Sequence, residues 1–287
     1  MTSRERSAAI RADPADVALE EIEIQLLLEG IRLTYGYDFR EYALRPLQRS
    51  IVAAMQSEGS PTISAYQNRI LHDATCMQRF LGMVGVSVTR MFREVELIQA
   101  LRDEVVPVLR TYPSVRIWMV GCATGEEVYS LAIMLEEEGV LRHASIYATD
   151  LNEDTLAVAR MGAYPLDRVR LYEDAYRRSG GRLALSDYYT VSGRSARFSR
   201  SQQSNVTWAR HNLVTDASFN DFHLIVCANV LIYFRPALQE RAHRLFYDSL
   251  VRSGYLALGK GESLVFSPGS SRFQQVRTGV SLFRKVR

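Results

Sequence analysis

Apolar residues along the chain follow two different periods. From about residue 18 to 85 they recur at helical spacing. Leu19, Ile22, Leu26, Ile31 and Leu33 predict one amphipathic helix, 42–55 a second, and 63–80 further helix after a turn at SEGSPT, 57–62. From about 86 onward short apolar runs alternate with helical stretches, the pattern of a parallel α/β sheet. There 95–109 reads as a helix leading into the first strand, FHLIVC at 222–227 as a buried strand, 235–251 as a helix and 255–259 as another strand. The stretch 183–206, rich in Ser, Gly and Arg with short alternating runs, reads as an inserted β-hairpin or small antiparallel subdomain, placed at about 180–207. The expected organisation is a polar, flexible 1–17, a helical domain over 18–85 and a doubly wound, Rossmann-like α/β domain over 86–287.

The richest stretch is RIWMVGCATGEEVYSLAIMLEEEGVLRHASIYATD, 116–150. It has the form of a strand, a glycine turn, a helix and a second strand ending in an acid. Gly121 and Gly125 permit a tight turn and let a ligand lie against the main chain. Asp150 stands at the carboxyl end of the second strand, where an acidic side chain in a doubly wound sheet meets ribose hydroxyls. The unit therefore predicts a nucleoside-containing cofactor. GCATGEE is not the GxGxxG of a dinucleotide site, and Glu126 and Glu127 stand where a diphosphate would lie, so a cationic ligand fits better. S-adenosylmethionine brings adenosine for Asp150 together with an ammonium and a sulfonium for a carboxylate. The alternative is that Glu126 and Glu127 only complement the helix dipole.

Composition is that of an ordinary globular enzyme: 287 residues, 47% apolar, 23% charged, and a net charge of +3 that gives no case for nucleic acid. No apolar run approaches the ~18 residues of a membrane span, so membrane insertion is not expected, and with no signal-peptide core at the start a cytoplasmic location is the default. Cys76, Cys122 and Cys227 are scattered without CxxC, and the five histidines form no HExxH or close pair, so neither a disulfide framework nor a metal site is expected. The histidines are read as surface or incidental residues. Arg32, Arg40, Arg45, Arg49, Arg69 and Arg79 make the helical domain basic, suited either to docking an acidic helix or to a solvated face.

VTRMFRE at 88–94, GCATGEEVYS at 121–130, YATD at 147–150, HNL at 211–213 and CANVLIYF at 227–234 stand in the order and spacing of the chemoreceptor glutamate methyltransferases. From about residue 20 to its end the chain resembles this CheR family, as a divergent member. The resemblance implies a SAM-dependent methyltransferase fold with a helical amino domain and a small β insert. It also implies S-adenosylmethionine as cofactor, S-adenosylhomocysteine as product, and the cytoplasmic helices of chemoreceptors or related signalling proteins as partners. Ser87, Thr89 and Arg93 would contact the cofactor, Gly121 would let it approach, Glu127 would meet the methionyl ammonium, Asp150 the ribose, and Asn212 and Leu213 the adenine. Asn229 and Tyr233 would lie beside the transferring methyl, with Arg93 steering the incoming carboxylate and Tyr233 positioning the methyl or the substrate oxygen.

Four departures stand out. Ser87 replaces the family's Asn, Met91-Phe92 stands where the family has two consecutive Phe, Ala228 replaces an Arg in CRNV, and the family's GHSE reads Gly259-Lys260-Gly261-Glu262 here. Ala supplies none of the donors of a guanidinium. Besides a receptor methyltransferase, the sequence is compatible with a catalytically attenuated SAM- or SAH-binding signalling module and with a small-molecule methyltransferase.

Overall fold

The computed structural model describes residues 14–84, 89–264 and 269–286, with side chains from residue 19; Ser87 and the amino-terminal 1–13 lie outside them. Four helices come first: α1 (Pro14–Tyr35), α2 (Leu44–Ser57), α3 (Ile63–His72) and α4 (Ala74–Val84). They enclose their own core around Leu27, Ile31, Ile51, Tyr66 and Phe80. Of the expected apolar face of α1 only Ile31 meets this core. Ile24, Leu27, Leu28 and Ile31 are buried, whereas Leu19, Ile22, Leu26 and Leu33 are exposed, Leu33 to 69%. Most of the basic surface is neutralised from within: Arg32 pairs with Glu29, Arg40 with Asp38, and Arg69 and Arg79 both with Glu58. Arg45 and Arg49 on α2 are exposed and take part in no ion pair among the described residues.

The expected helix over 95–109 is interrupted. α5 (Val95–Ala100) runs into a π-helical turn, Leu101–Val105, before α6 (Val106–Leu109). The wider turn seats Arg102, which reaches Glu137, Glu138 and the Ser179 carbonyl and so ties this segment to distant parts of the chain. Next come β1 (Val115–Val120), α7 (Glu126–Glu137), β2 (Ala144–Asp150) and α8 (Glu153–Met161). The insert is larger than predicted. β3 (Ala163–Pro165), α9 (Leu166–Arg170) and α10 (Glu173–Arg178) precede β4 (Tyr189–Ser192) and β5 (Ser195–Phe198), and β3, β5 and β4 form a three-stranded antiparallel sheet. A three-residue strand is too short to betray itself by alternation. Val206, expected inside the insert, opens β6 (Val206–Arg210), an edge strand of the main sheet.

β7 (Phe222–Cys227), α11 (Pro236–Ser249), β8 (Leu250–Leu258), β9 (Phe273–Gln275) and β10 (Leu282–Lys285) complete the described chain. The seven-stranded sheet runs β6-β2-β1-β7-β8-β10-β9, parallel from β6 to β8 and antiparallel at β10 and β9. Every residue of β7 is buried, as a central strand covered on both faces requires. The order reverses between β1 and β7, so the carboxyl ends of β1, β2 and β7 open onto one crevice, the place where ligands bind in sheets of this kind.

The helical domain closes one side of that crevice. Tyr42 and Phe234 form an isolated antiparallel bridge, the Ala43 N–H donates to the Tyr233 carbonyl (2.7 Å), and the Arg235 N–H to the Glu41 carbonyl (2.8 Å). His223 and His243 are buried rather than at the surface, and burial presses both below the usual imidazole range. No described helix is long and apolar enough to cross a membrane.

Candidate active site

After β1 the chain turns through Gly121 and Gly125 into α7. Gly121 has φ +63, and a Cβ there would lie 2.5 Å from Val230 Cγ2, so the turn packs directly against the loop after β7. The turn is pinned to β2: the Cys122 N–H donates to the Thr149 carbonyl and the Ala123 N–H to Asp150 Oδ2, each at 2.9 Å. Asp150 Oδ1 accepts the Asn152 N–H at 3.0 Å. Burial raises the Asp150 carboxyl above its usual range, and these backbone N–H groups oppose the rise.

The two glutamates that open α7 have separate fates. Glu126 is 1% exposed, accepts the Thr124 hydroxyl at 2.6 Å and lies 3.5 Å from Arg168; it belongs to the packing against the insert. Glu127 is half-buried and faces Arg93, Glu94 and Glu262. Burial raises its pKa to about 8; Arg93 opposes the rise, and the Glu94, Glu262 and Glu126 carboxylates add to it. A carboxyl in that condition is stabilised as an anion by a cation placed beside it.

Gly121, Asp150, Asn212, Leu213, Asn229 and Tyr233 line one cleft of about 850 Å³. Asn212 caps its own loop, its Oδ1 accepting the Val214 N–H and its N–H donating to Asp216, while Leu213 packs into the core beside Val120. Phe39, Tyr42, Leu81 and Val84 from the helical domain form the opposite wall, which no sequence pattern had assigned to the site.

Thr89 and Arg93 line a second, larger groove. Thr89 is buried, its hydroxyl without a partner among the described residues, and its carbonyl is held by Arg168 at 2.6 Å. Phe92 adopts φ +53, with its N–H bonded to Ser130 Oγ (2.9 Å), and this left-handed step turns Arg93 and Glu94 back toward α7. Asn229 and Tyr233 line both the cleft and the groove, so the two cavities meet there. Glu127 stands behind this junction in a small pocket shared with Glu94 and Ala228.

The loop after β7 has a buried support. Asn229 is left-handed (φ +62) and its Nδ2 approaches Glu94 Oε1 at 3.3 Å. Glu262, 4% exposed, accepts the N–H groups of Asn229 and Gly259 on one oxygen and those of Leu231 and Ile232 on the other. The only advance sign of Glu262 was its place in the altered motif.

Two family models cover nearly the whole chain. The SAM-binding domain of CheR methyltransferases matches 87–280, and their all-alpha domain matches 22–84. The chain belongs to the CheR methyltransferase family. Its cofactor is therefore S-adenosylmethionine. The Cher3 protein of Pseudomonas putida, named a putative methyltransferase, is 45% identical over 265 residues, 92% of this chain and 97% of that one. A chemotaxis protein methyltransferase of Listeria innocua is 30% identical over 237 residues, 82% and 87% of the two chains.

The residues fit this cofactor. An acid at the end of β2, a glycine turn in contact with the loop after β7 and a carboxyl in want of a cation suit a nucleoside carrying positive charge, and no GxGxxG serves a pyrophosphate. One family feature is replaced by space: where the CheR pattern has an Arg, Ala228 lines the pocket holding Glu94 and Glu127.

Proposed function

We propose that this CheR-family protein transfers methyl groups from S-adenosylmethionine to glutamate side chains on cytoplasmic helices of chemoreceptors or related signalling proteins, in the cytoplasm. The observation that carries this reading is the junction at Asn229 and Tyr233, where the nucleoside cleft opens into the groove. Asp150 holds the ribose, Asn212 and Leu213 flank the adenine, and Glu127 takes the ammonium. When bound, the cofactor supplies a methyl group that a carboxylate oxygen can take, leaving a methyl ester and a neutral thioether.

The groove suits an anionic substrate. Arg90, Arg93, Arg168, Arg178 and Lys260 line it against Glu94, Glu96 and Asp174. A glutamate is already ionised near neutral pH, so no general base is needed. Arg93 steers the carboxylate and Tyr233 orients it at the junction. Orientation of this kind accounts for roughly 7–11 kcal/mol of such a barrier. The groove is larger than the cleft and is lined by charged side chains of both signs, a surface suited to a protein segment.

One observation favours a second reading, a SAM- or SAH-binding module with attenuated catalysis: the pocket beside Ala228, which leaves Glu94 and Glu127 without the family's guanidinium. Incubation with methyl-labelled S-adenosylmethionine and cytoplasmic fragments of chemoreceptors separates the two. The enzyme labels the fragments; the attenuated module binds S-adenosylhomocysteine and transfers nothing.

A further inference from the structure

Methyl transfer at the junction engages Asn229 and Tyr233 but not the buried acid beneath them. We propose that Glu262 is the positioning residue of the methyl-transfer turn: its carboxylate gathers four backbone N–H groups and thereby holds Asn229 left-handed and Tyr233 at the junction of cleft and groove. This inference rests on the functional reading only in naming the turn.

The geometry is specific. Oε2 lies 2.9 Å from the Asn229 nitrogen and 2.8 Å from that of Gly259, and Oε1 lies 2.7 Å from Leu231 and 3.3 Å from Ile232. Asn229 stands at φ +62, a left-handed conformation that Asn adopts more readily than other non-glycine residues, and the bond from its N–H to Glu262 fixes it there. Gly259 is bare because of close approach: a Cβ on it would stand 2.8 Å from Glu262 Oε2 and 2.7 Å from the Asn229 nitrogen. The main chain that carries the carboxylate is itself held, since Ser281 Oγ donates to the Glu262 backbone carbonyl at 2.7 Å just ahead of β10. A buried carboxylate is expensive unless fully bonded, and among the described residues every bond this one accepts comes from a single turn and the strand end beside it.

Its charge has a second effect. Glu127 is faced by Arg93, Glu94, Glu262 and Glu126, and the Glu262 anion is among those that make Glu127 harder to ionise. Removing that charge lets Glu127 ionise at lower pH, an effect that mere loss of packing does not produce.

The test uses the full chain with two variants. E262Q places an amide NH₂ against two of the N–H donors. G259A keeps the charge and displaces the carboxylate. Amide exchange at Asn229, Leu231, Ile232 and Gly259 should accelerate at least tenfold in both variants while β1 and β7 stay protected. S-adenosylhomocysteine should bind about tenfold more weakly in both. The pH at which its affinity levels off should fall in E262Q and stay in place in G259A. Wild-type exchange and affinity within twofold in both variants would overturn the proposal. If E262Q does not fold, E262D, which keeps the charge and withdraws the carboxylate from the four N–H groups, is measured in its place and read by the same criteria, because a Cβ at residue 259 also meets the Asn229 nitrogen directly. If the wild type binds no S-adenosylhomocysteine, the cofactor assignment fails, and the exchange measurement still decides the role of Glu262.

Discussion

Titration of Glu127 gives the most quantitative test of the cofactor site. In the free protein this carboxyl is raised from 4.5 to about 8, first by burial and then by Glu94, Glu262 and Glu126, with Arg93 opposing. An acid raised on folding binds its proton more tightly in the native than in the unfolded state. Its ionisation therefore costs stability that grows as pH rises from 4.5 toward 8, and the free protein loses stability across that window. Binding runs the other way. If the ammonium requires the ionised carboxylate, the competent fraction follows a titration centred near 8, so affinity should rise about tenfold from pH 6 to 7 and about fivefold from pH 7 to 8. Calorimetry with S-adenosylhomocysteine reads this directly. At pH 7, titrations in buffers of different ionisation enthalpy should show close to one proton released per molecule bound. E127Q should bind weakly, with no pH dependence over the same range and no proton release. A wild type whose affinity is flat from pH 6 to 8, or E127Q binding as tightly as wild type at pH 8, would refute the assignment of Glu127 to the ammonium.

Three further outcomes follow from the geometry. R93A should lower turnover at least a hundredfold while S-adenosylhomocysteine affinity at pH 8.5 stays within about threefold, because Arg93 lines the groove and not the cleft; parallel loss of both would place Arg93 in the cofactor site instead. G121A should destabilise the protein by about 1–3 kcal/mol and weaken cofactor binding, since the residue sits at φ +63 with its added Cβ driven into Val230; an unchanged melting temperature would show that the turn relaxes freely. K260E should raise KM for an acidic protein substrate several-fold and leave S-adenosylhomocysteine binding unchanged, Lys260 being exposed on the groove and absent from the cleft; unchanged KM would remove it from substrate recognition.

The legible part of the sequence was local. The unit from β1 to β2 announced itself because strand, glycine turn, helix and terminal acid are adjacent in the chain and each carries its own signal. The fold class and the cofactor came from it and from the motifs beside it. The face of α1 did not, because Ile22, Ile24, Leu26, Leu27 and Leu28 crowd one stretch and helical spacing alone cannot say which set meets α3. Nor could Glu126 be told from Glu127, since only the packed structure, through Thr124 of the turn and Arg168 of the insert, claims the first of them. The remaining site parts come from far along the chain. Phe39 and Tyr42 reach the cleft through a bridge to Phe234, and Glu262 reaches Asn229 across 33 residues, separations that leave no mark on local periodicity. The basic helical domain illustrates the same limit: counting arginines could not reveal that Glu29, Asp38 and Glu58 had already paired four of them.

Every proposed residue role depends on one proposed event, the passage of a methyl group to a carboxylate at the meeting point of cleft and groove. Purified protein should be incubated with tritiated-methyl S-adenosylmethionine and receptor cytoplasmic fragments, and the labelled product treated with mild alkali. A glutamate methyl ester predicts that the label is released as volatile methanol, and that replacing the modified glutamates by alanine abolishes incorporation. Label that survives alkali, or that appears equally on the alanine-substituted fragments, would contradict it.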